Sequence, residues 1–174
     1  MNRQIGLWGA GMVLGALALS GCGGGGHSGD SRTTIHGELR SGDQTLPNNN
    51  YGEAGSYVDV YSGTARDDGS AQVEMKSSDL DSLLVIGVEN NDGSVSTLAV
   101  DDNSGSGRDA KVELNVQAGV RYFVAATNAD GRGHTGSYTL EFSDKFRDVI
   151  EEPTVTPAIR AAAARAVQAN QKAP

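Results

Sequence analysis

The chain has 174 residues, with one cysteine, one tryptophan, three histidines and a formal net charge of −8 at neutral pH. The acidic excess argues against nucleic acid as a partner and against electrostatic attachment to anionic lipid, because both need clustered Lys and Arg. One cysteine leaves no pair for an internal disulfide, and the sequence has neither a cysteine pair nor an H-E-x-x-H spacing for zinc. We therefore expect a domain held by its hydrophobic core.

Residues 1–21 have the layout of an export signal. Arg3 provides a basic start, an apolar stretch runs from Ile5 to Leu19, and small residues follow. An apolar stretch of this length that ends in small residues is typical of a cleaved signal peptide and not of a membrane-spanning helix. A permanent N-terminal anchor helix is the alternative.

The only cysteine lies directly after this signal. The stretch Leu19-Ser20-Gly21-Cys22 resembles the lipobox of bacterial lipoproteins. The resemblance implies that the Cys22 sulfur receives a diacylglycerol, that the chain is cut before Cys22, and that the new amino group is often acylated. Two or more acyl chains hold a protein stably on a bilayer. A chemically free Cys22 is the alternative.

The residues after the cysteine predict how the protein is held and where. Residues 22–32 comprise the lipidated cysteine and a Gly/Ser-rich tether, and such composition is typical of flexible linkers. Gly23 stands where an Asp would favour inner-membrane retention, by resemblance to known lipoprotein sorting. We therefore expect an exported, membrane-anchored lipoprotein of the outer membrane.

Residues 33–143 consist of short stretches of alternating polarity separated by turn-forming residues. The clearest alternations are in residues 71–76, 111–117 and 137–142. A period of two predicts strands with one face on a core. Residues 83–88 are apolar throughout, which predicts a central strand covered on both faces. Ala118-Gly119 predicts a hairpin that joins residues 111–117 to residues 120–127. We expect about eight strands in an antiparallel sandwich or barrel.

Residues 144–174 have a different composition. Pro153 and Pro157 interrupt the chain, and an alanine-rich stretch of high helix propensity follows. The only large apolar residues of that stretch are Ile159 and Val167, so the helix offers a narrow apolar face. We expect a linker and a partly frayed tail helix, with a partner-binding helix as the alternative.

Five short motifs occur in order within residues 33–143. They are D-x-Y (Asp59, Tyr61), S-x-D-x-D-S-L-L (Ser78 to Leu84), D-D-N-S-G-x-G (Asp101 to Gly107), A-G-x-x-Y-x-V (Ala118 to Val124) and G-S-Y-T-L (Gly136 to Leu140). In order and spacing this region resembles the bacterial pre-peptidase C-terminal domain. The resemblance implies an all-β fold, an antiparallel β-sandwich of jelly-roll type, of a kind usually appended to secreted peptidases. Some members of the family bind calcium, collagen or polysaccharide.

Acidic residues in two loops predict a calcium site. Asp101, Asp102 and Asn103 crowd oxygen-bearing side chains into a glycine-rich loop, and Asp79 and Asp81 lie elsewhere in the chain. Calcium takes six to eight oxygen ligands on backbone that can curl around it. The spacing does not match an EF-hand. The alternative is that these side chains accept backbone hydrogen bonds in tight turns.

A catalytic site and a sugar-binding site would each rest on few residues. Catalysis is not expected, since the sequence has no G-x-S-x-G elbow and its three histidines lie in predicted tether, edge or loop positions. Sugar binding usually needs exposed aromatic faces, and the only tryptophan lies in the signal. Tyr51, Tyr57 and Tyr61 are the remaining candidates for a ligand site, with packing in the core as the alternative.

These features predict a non-catalytic, lipid-anchored module that binds a protein or glycan at the cell envelope. A structural role beside a separately encoded secreted peptidase is the alternative, and a hydrolase is the reading we favour least.

Overall fold

A computed structural model describes residues 32–47 and 55–171 of the chain. The predicted signal, Cys22 and its tether, and Tyr51 lie outside these residues. The described elements are β1 (Thr33–Leu39), β2 (Val58–Ala65), β3 (Gly69–Lys76), β4 (Ser82–Glu89), β5 (Val95–Asp101), β6 (Ala110–Val116), β7 (Arg121–Asn128), β8 (Gly136–Phe142), β9 (Phe146–Glu151) and α1 (Pro157–Asn170).

The strands form two antiparallel sheets packed face to face. One sheet has the order β1-β8-β3-β6 and the other the order β5-β4-β7-β2-β9. The first eight strands thus follow the order of a jelly roll, and β9 extends the second sheet beyond β2. The predicted all-β antiparallel sandwich is confirmed, with nine strands among the described residues instead of about eight.

The predicted strand faces are confirmed as well. In β3, β6 and β8 the apolar positions of the alternation point between the sheets, where Val73, Val112 and Leu140 are at most 3 % exposed. Residues 83–86 of β4 are completely buried, as predicted for a strand covered on both faces. One face of β4 lies on the opposite sheet and the other lies under α1.

The predicted hairpin at Ala118-Gly119 is wrong. The chain does reverse there, with Gly119 at φ 78°, but β6 and β7 belong to different sheets. The turn is held by β2 instead, because Gly119 N–H donates to the Ala65 carbonyl and Ala65 N–H donates to the Val120 carbonyl. A turn sequence predicts a reversal of the chain and does not specify whether the two strands pair.

The structure continues past the predicted domain end at residue 143. Strand β9 pairs with β2, and α1 packs on the outer face of the second sheet. The helix begins after Thr156, whose side chain accepts the Ile159 N–H at 3.3 Å, and it buries Ile159, Val167 and four alanines. The helix therefore packs on the sandwich as part of the same unit, whereas a partly frayed tail was expected.

Within residues 32–47 and 55–171, no helix has the length and hydrophobicity needed to cross a membrane.

Candidate binding cleft

An open cleft of about 500 Å³ lies on the side of the sandwich where the edge strands β1 and β9 run. Its walls come from β1, the chain after β1, the end of β3, β8 and the end of β9, and its floor comes from β2 and from the buried Tyr138 of β8. Most of the lining side chains are charged or carry a hydroxyl group. The cleft therefore offers hydrogen-bond and charge partners to a polar ligand.

Three side chains on the floor of the cleft form a hydrogen-bonded relay. Tyr138 donates its hydroxyl proton to Asp59 Oδ2 at 2.6 Å, and its oxygen lies 2.7 Å from the Tyr61 hydroxyl oxygen. Since Tyr138 donates to the carboxylate, Tyr61 donates to Tyr138. Both rings are buried, with Tyr61 1 % and Tyr138 3 % exposed, whereas Asp59 is half-buried. The relay therefore holds one carboxylate in place at the base of the cleft.

A glycine on β1 makes room for this arrangement. Gly37 is the register partner of Tyr138 across the β1–β8 pair. A Cβ atom at position 37 would overlap the Tyr138 ring and hydroxyl. The absence of a side chain at Gly37 therefore lets the Tyr138 hydroxyl reach β2.

The environment of Asp59 disfavours its charged form. Burial raises the pKa of the Asp59 carboxyl to about 6, and the nearby carboxylates of Asp43 and Glu151 act in the same direction. The Tyr138 hydrogen bond and Arg40 oppose the rise. Burial also raises the pKa values of Tyr61 and Tyr138 well above the ordinary tyrosine value, so both phenols stay protonated.

The cations at the rim of the cleft are engaged by other carboxylates. Arg40 Nε and Nη2 both lie 2.9 Å from Glu38 Oε2. Lys76 Nζ lies 3.0 Å from a Glu141 oxygen and 3.4 Å from a Glu74 oxygen. Among the described residues, none forms an ion pair with Asp59. In the described part of the chain, Arg40 therefore acts on the Asp59 carboxylate only from a distance and without an ion pair.

The sequence predicts a ligand-site role for Tyr61 and a buried position for Tyr138, but it assigns Asp59 no role beyond the resemblance. A signal for the site was present nevertheless. Tyr57, directly before β2, alternates with Asp59 and Tyr61 of that strand, so an acidic residue lies between two tyrosines on the inward face. A carboxylate on such a face needs a hydrogen-bond partner, and that partner is 79 residues further along the chain.

A second cavity, of about 350 Å³, lies between the second sheet and the chain that precedes α1. Its polar groups satisfy each other, because Arg121 Nη2 donates to Ser62 Oγ at 2.6 Å and both side chains contact Glu152. This cavity therefore has less to offer a polar ligand than the cleft.

The five residues predicted to bind calcium do not form one group. Asp101 Oδ2 accepts the Ser104 N–H at 3.0 Å and the Lys111 N–H at 2.8 Å, which is the turn-capping role of the alternative interpretation. Asp79 Oδ2 accepts the Ser137 N–H at 3.3 Å in a different loop. Asn103 is exposed. Asp101 and Asp79 therefore make the hydrogen bonds that the alternative interpretation expects.

Asp81 and Asp102 do lie near each other. Burial raises the pKa of the Asp81 carboxyl, Asp102 and Asp130 add to the rise, and Arg108 opposes it. Asp102 also accepts from the Asn170 side chain at 2.7 Å. In the part of the chain that the structure describes, no three Asp, Glu, His or Cys side chains are arranged to hold a metal ion. Calcium binding stays a prediction.

The predicted tyrosine site has no exposed ring face at Tyr61, because that ring is buried and only its hydroxyl group faces the relay. Tyr57 is half-buried and contacts the loop at Gly133. Tyr51 lies outside the described residues. Tyr57 and Tyr61 are therefore largely packed in the core, as the alternative interpretation expects.

No protein-family model matches the chain, and no curated protein is similar to it. Among solved structures, the chain is similar to the pre-peptidase C-terminal domain of a collagenase from Bacillus anthracis. The two share 18% sequence identity over 64% of this chain and 88% of that chain, with a TM-score of 0.46. A likeness this distant carries no inference about function.

Proposed function

We propose that the chain is a non-catalytic, lipid-anchored module of the bacterial cell envelope that binds a protein or a glycan in the cleft over Asp59. The observation that supports binding is the cleft itself, an open polar cavity with a carboxylate fixed at its base. Groups whose pKa values are perturbed by burial inside a cleft are candidates for functional sites.

The lipid anchor rests on the sequence. A signal-like segment ends at a cysteine in a lipobox-like setting, and a Gly/Ser-rich stretch separates that cysteine from β1. Such a tether lets the domain move relative to the membrane while it stays attached. Attachment to the outer membrane is part of the proposal.

Neither of the two described histidines has the contacts of a catalytic triad among the described residues. Triad-type catalysis requires a histidine that contacts both a nucleophile and an orienting acid. His134 Nδ1 lies 2.9 Å from Asp130 Oδ2, but this side chain contacts no hydroxyl group among the described residues. His36 Nδ1 lies 3.3 Å from the Thr139 hydroxyl, but no described carboxylate contacts this ring.

Photo-crosslinking in the native cell tests this proposal. A photoreactive amino acid replaces His36, which is exposed at the cleft, and the control carries it at Glu113, which is exposed on β6 at the other edge of the same sheet. We expect a discrete adduct from position 36 that is absent from position 113. Equal crosslinking from both positions, or none, would contradict a binding role for the cleft.

Analysis of the adduct then separates the functions. A peptide or glycan ligand agrees with the proposed binding module. A secreted peptidase as the only crosslinked partner would instead favour an assembly role beside that enzyme.

A further inference from the structure

We infer that the cleft receives the protonated amino group of a lysine side chain of a protein ligand, which pairs with Asp59. The inference rests on the proposed binding function and adds the chemical class of the ligand group to it.

The charges around the floor of the cleft favour a cation. Asp43 and Glu151 lie close enough to Asp59 to disfavour its negative charge, and Arg40 opposes them with a smaller effect than either carboxylate. The rim cations Arg40 and Lys76 are already paired with glutamates. No described cation forms an ion pair with Asp59, so a positively charged group of a ligand could do so.

The hydrogen bonds of Asp59 favour an ammonium group over a guanidinium group. Oδ2 is occupied by the Tyr138 hydroxyl, while Oδ1 accepts no hydrogen bond from a described residue. A guanidinium group binds best to a carboxylate through two parallel bonds, which needs both oxygens. A lysine ammonium is a compact charge on a flexible stem, so it can reach a single oxygen at the base of a cleft.

The aromatic residues of the cleft favour a protein ligand over a glycan. The phenol rings that line it belong to Tyr61 and Tyr138, and both are buried. No phenol face on the described wall of the cleft is therefore free to stack on a sugar ring. Charged and hydroxyl groups on the walls can instead hydrogen-bond to the polar backbone of a peptide.

Binding of an amine should depend on the charge of Asp59, and so on pH. Acidification through about pH 6 protonates Asp59 and removes its attraction for the amine. The other ionisable side chains that line the cleft are Glu38, Asp43, Glu151, Arg40, Lys76 and His36. A His36→Gln variant removes the imidazole, so that its pH profile reports on the carboxylates of the cleft.

The test uses the full-length protein as the cell makes it, purified in detergent and labelled for amide NMR. The probe is the blocked tripeptide Gly-Lys-Gly, and its control is Gly-norleucine-Gly, which has the same stem length without the charge. At about pH 8 we expect the lysine peptide to shift amide signals of the cleft and the norleucine peptide to leave them unchanged. In Asp59→Asn the affinity should fall at least about tenfold, the effect of losing a hydrogen bond to a charged group.

The matched control is Asp92→Asn, in the β4–β5 turn far from the cleft, which removes the same charge and should leave the affinity unchanged. Equal binding of the two peptides, or undiminished binding by Asp59→Asn, would overturn the inference. Binding of glucosamine with no binding of the lysine peptide would also overturn it, in favour of an amino sugar.

If Asp59→Asn does not fold, the pH profile of the His36→Gln protein decides. Affinity for the lysine peptide that falls as pH decreases through about 6 supports the inference, and a flat profile overturns it. The crosslinking experiment is independent of these results. A specific adduct from position 36 without lysine preference leaves the proposed function standing while this inference fails.

Discussion

The Tyr138 hydroxyl is the centre of the buried relay, and Tyr138→Phe removes it while keeping the ring. The change deletes the bond to Asp59 and leaves the Tyr61 hydroxyl without its partner. A hydrogen bond to a charged group contributes about 1.5–3 kcal/mol, and a buried polar group left unpaired costs about 1–3 kcal/mol. Because contacting groups are not additive, we expect a loss of about 2–4 kcal/mol in the free energy of unfolding at pH 8.

The loss should become smaller on acidification. The Tyr138 bond lowers the pKa of Asp59, so the folded variant has a higher Asp59 pKa than the folded wild type. A carboxyl group whose pKa is raised by folding adds stability as the pH falls below its folded pKa. The variant therefore gains more than the wild type between about pH 8 and pH 5. We expect the difference between them to shrink by roughly 1 kcal/mol.

Urea unfolding followed by circular dichroism measures both values, with the slope checked for two-state behaviour. Tyr57→Phe is the matched control, because the half-buried Tyr57 hydroxyl has no hydrogen-bond partner among the described residues. It should change stability by less than about 0.5 kcal/mol. A Tyr138→Phe loss no larger than that of the control, or a loss that grows as the pH falls, would refute the relay.

Three further predictions concern the anchor, the domain boundary and calcium. Cys22→Ser should leave an uncut, unlipidated precursor, and membrane partition of that variant at the wild-type level would contradict the anchor. A fragment of residues 33–143 should have a free energy of unfolding lower than that of the full chain by roughly 3 kcal/mol or more, since it loses the burial of Ile159 and Val167. Equal urea midpoints of the two proteins would show that α1 contributes no stability. If the loops bind calcium, millimolar calcium should raise the melting temperature of the wild type but not that of Asp102→Asn. A wild-type melting temperature that does not change with calcium would refute the prediction.

The strands were predictable because one-sided burial imposes a period of two. That signal placed β3, β6 and β8 correctly and identified β4 as covered on both faces. It gave no information on which strands pair, so the reversal at Gly119 was wrongly interpreted as a hairpin. Pairing depends on contacts between residues far apart in the chain, and local turn chemistry does not encode them.

The role of α1 could have been inferred from the strand that it covers. A strand buried on both faces needs a second layer, and the alanine-rich tail was a candidate for it. The narrow apolar face of the tail suggested fraying, but Ala162, Ala163 and Ala166 are buried because small side chains allow a helix to approach a sheet closely. Counting only large apolar residues missed this packing.

The cleft was harder to predict than the fold. Tyr57, Asp59 and Tyr61 alternate and point inward, so an acidic residue lies on an otherwise apolar face. This part of the site can be recognised from the sequence. The Asp59 partner, Tyr138, lies on the other sheet, and the room for that ring comes from Gly37 on a third strand. A site built from three strands that are distant in the chain follows only from the topology.

If the cleft over Asp59 is a ligand site, the carboxylate is retained at a cost to the stability of the free protein. Burial raises the Asp59 pKa from its usual value to about 6, so the charged form opposes folding above that pH and the neutral form does not below it. Asp59→Asn keeps an acceptor for Tyr138 and removes the charge. The most direct measurement is the free energy of unfolding of this variant and the wild type at about pH 8 and pH 4.5. We predict that the variant is the more stable protein at pH 8 and that its advantage is smaller at pH 4.5, because the wild type gains stability as the pH falls from about 6 towards the ordinary Asp value; a variant that is less stable at pH 8 would contradict the account.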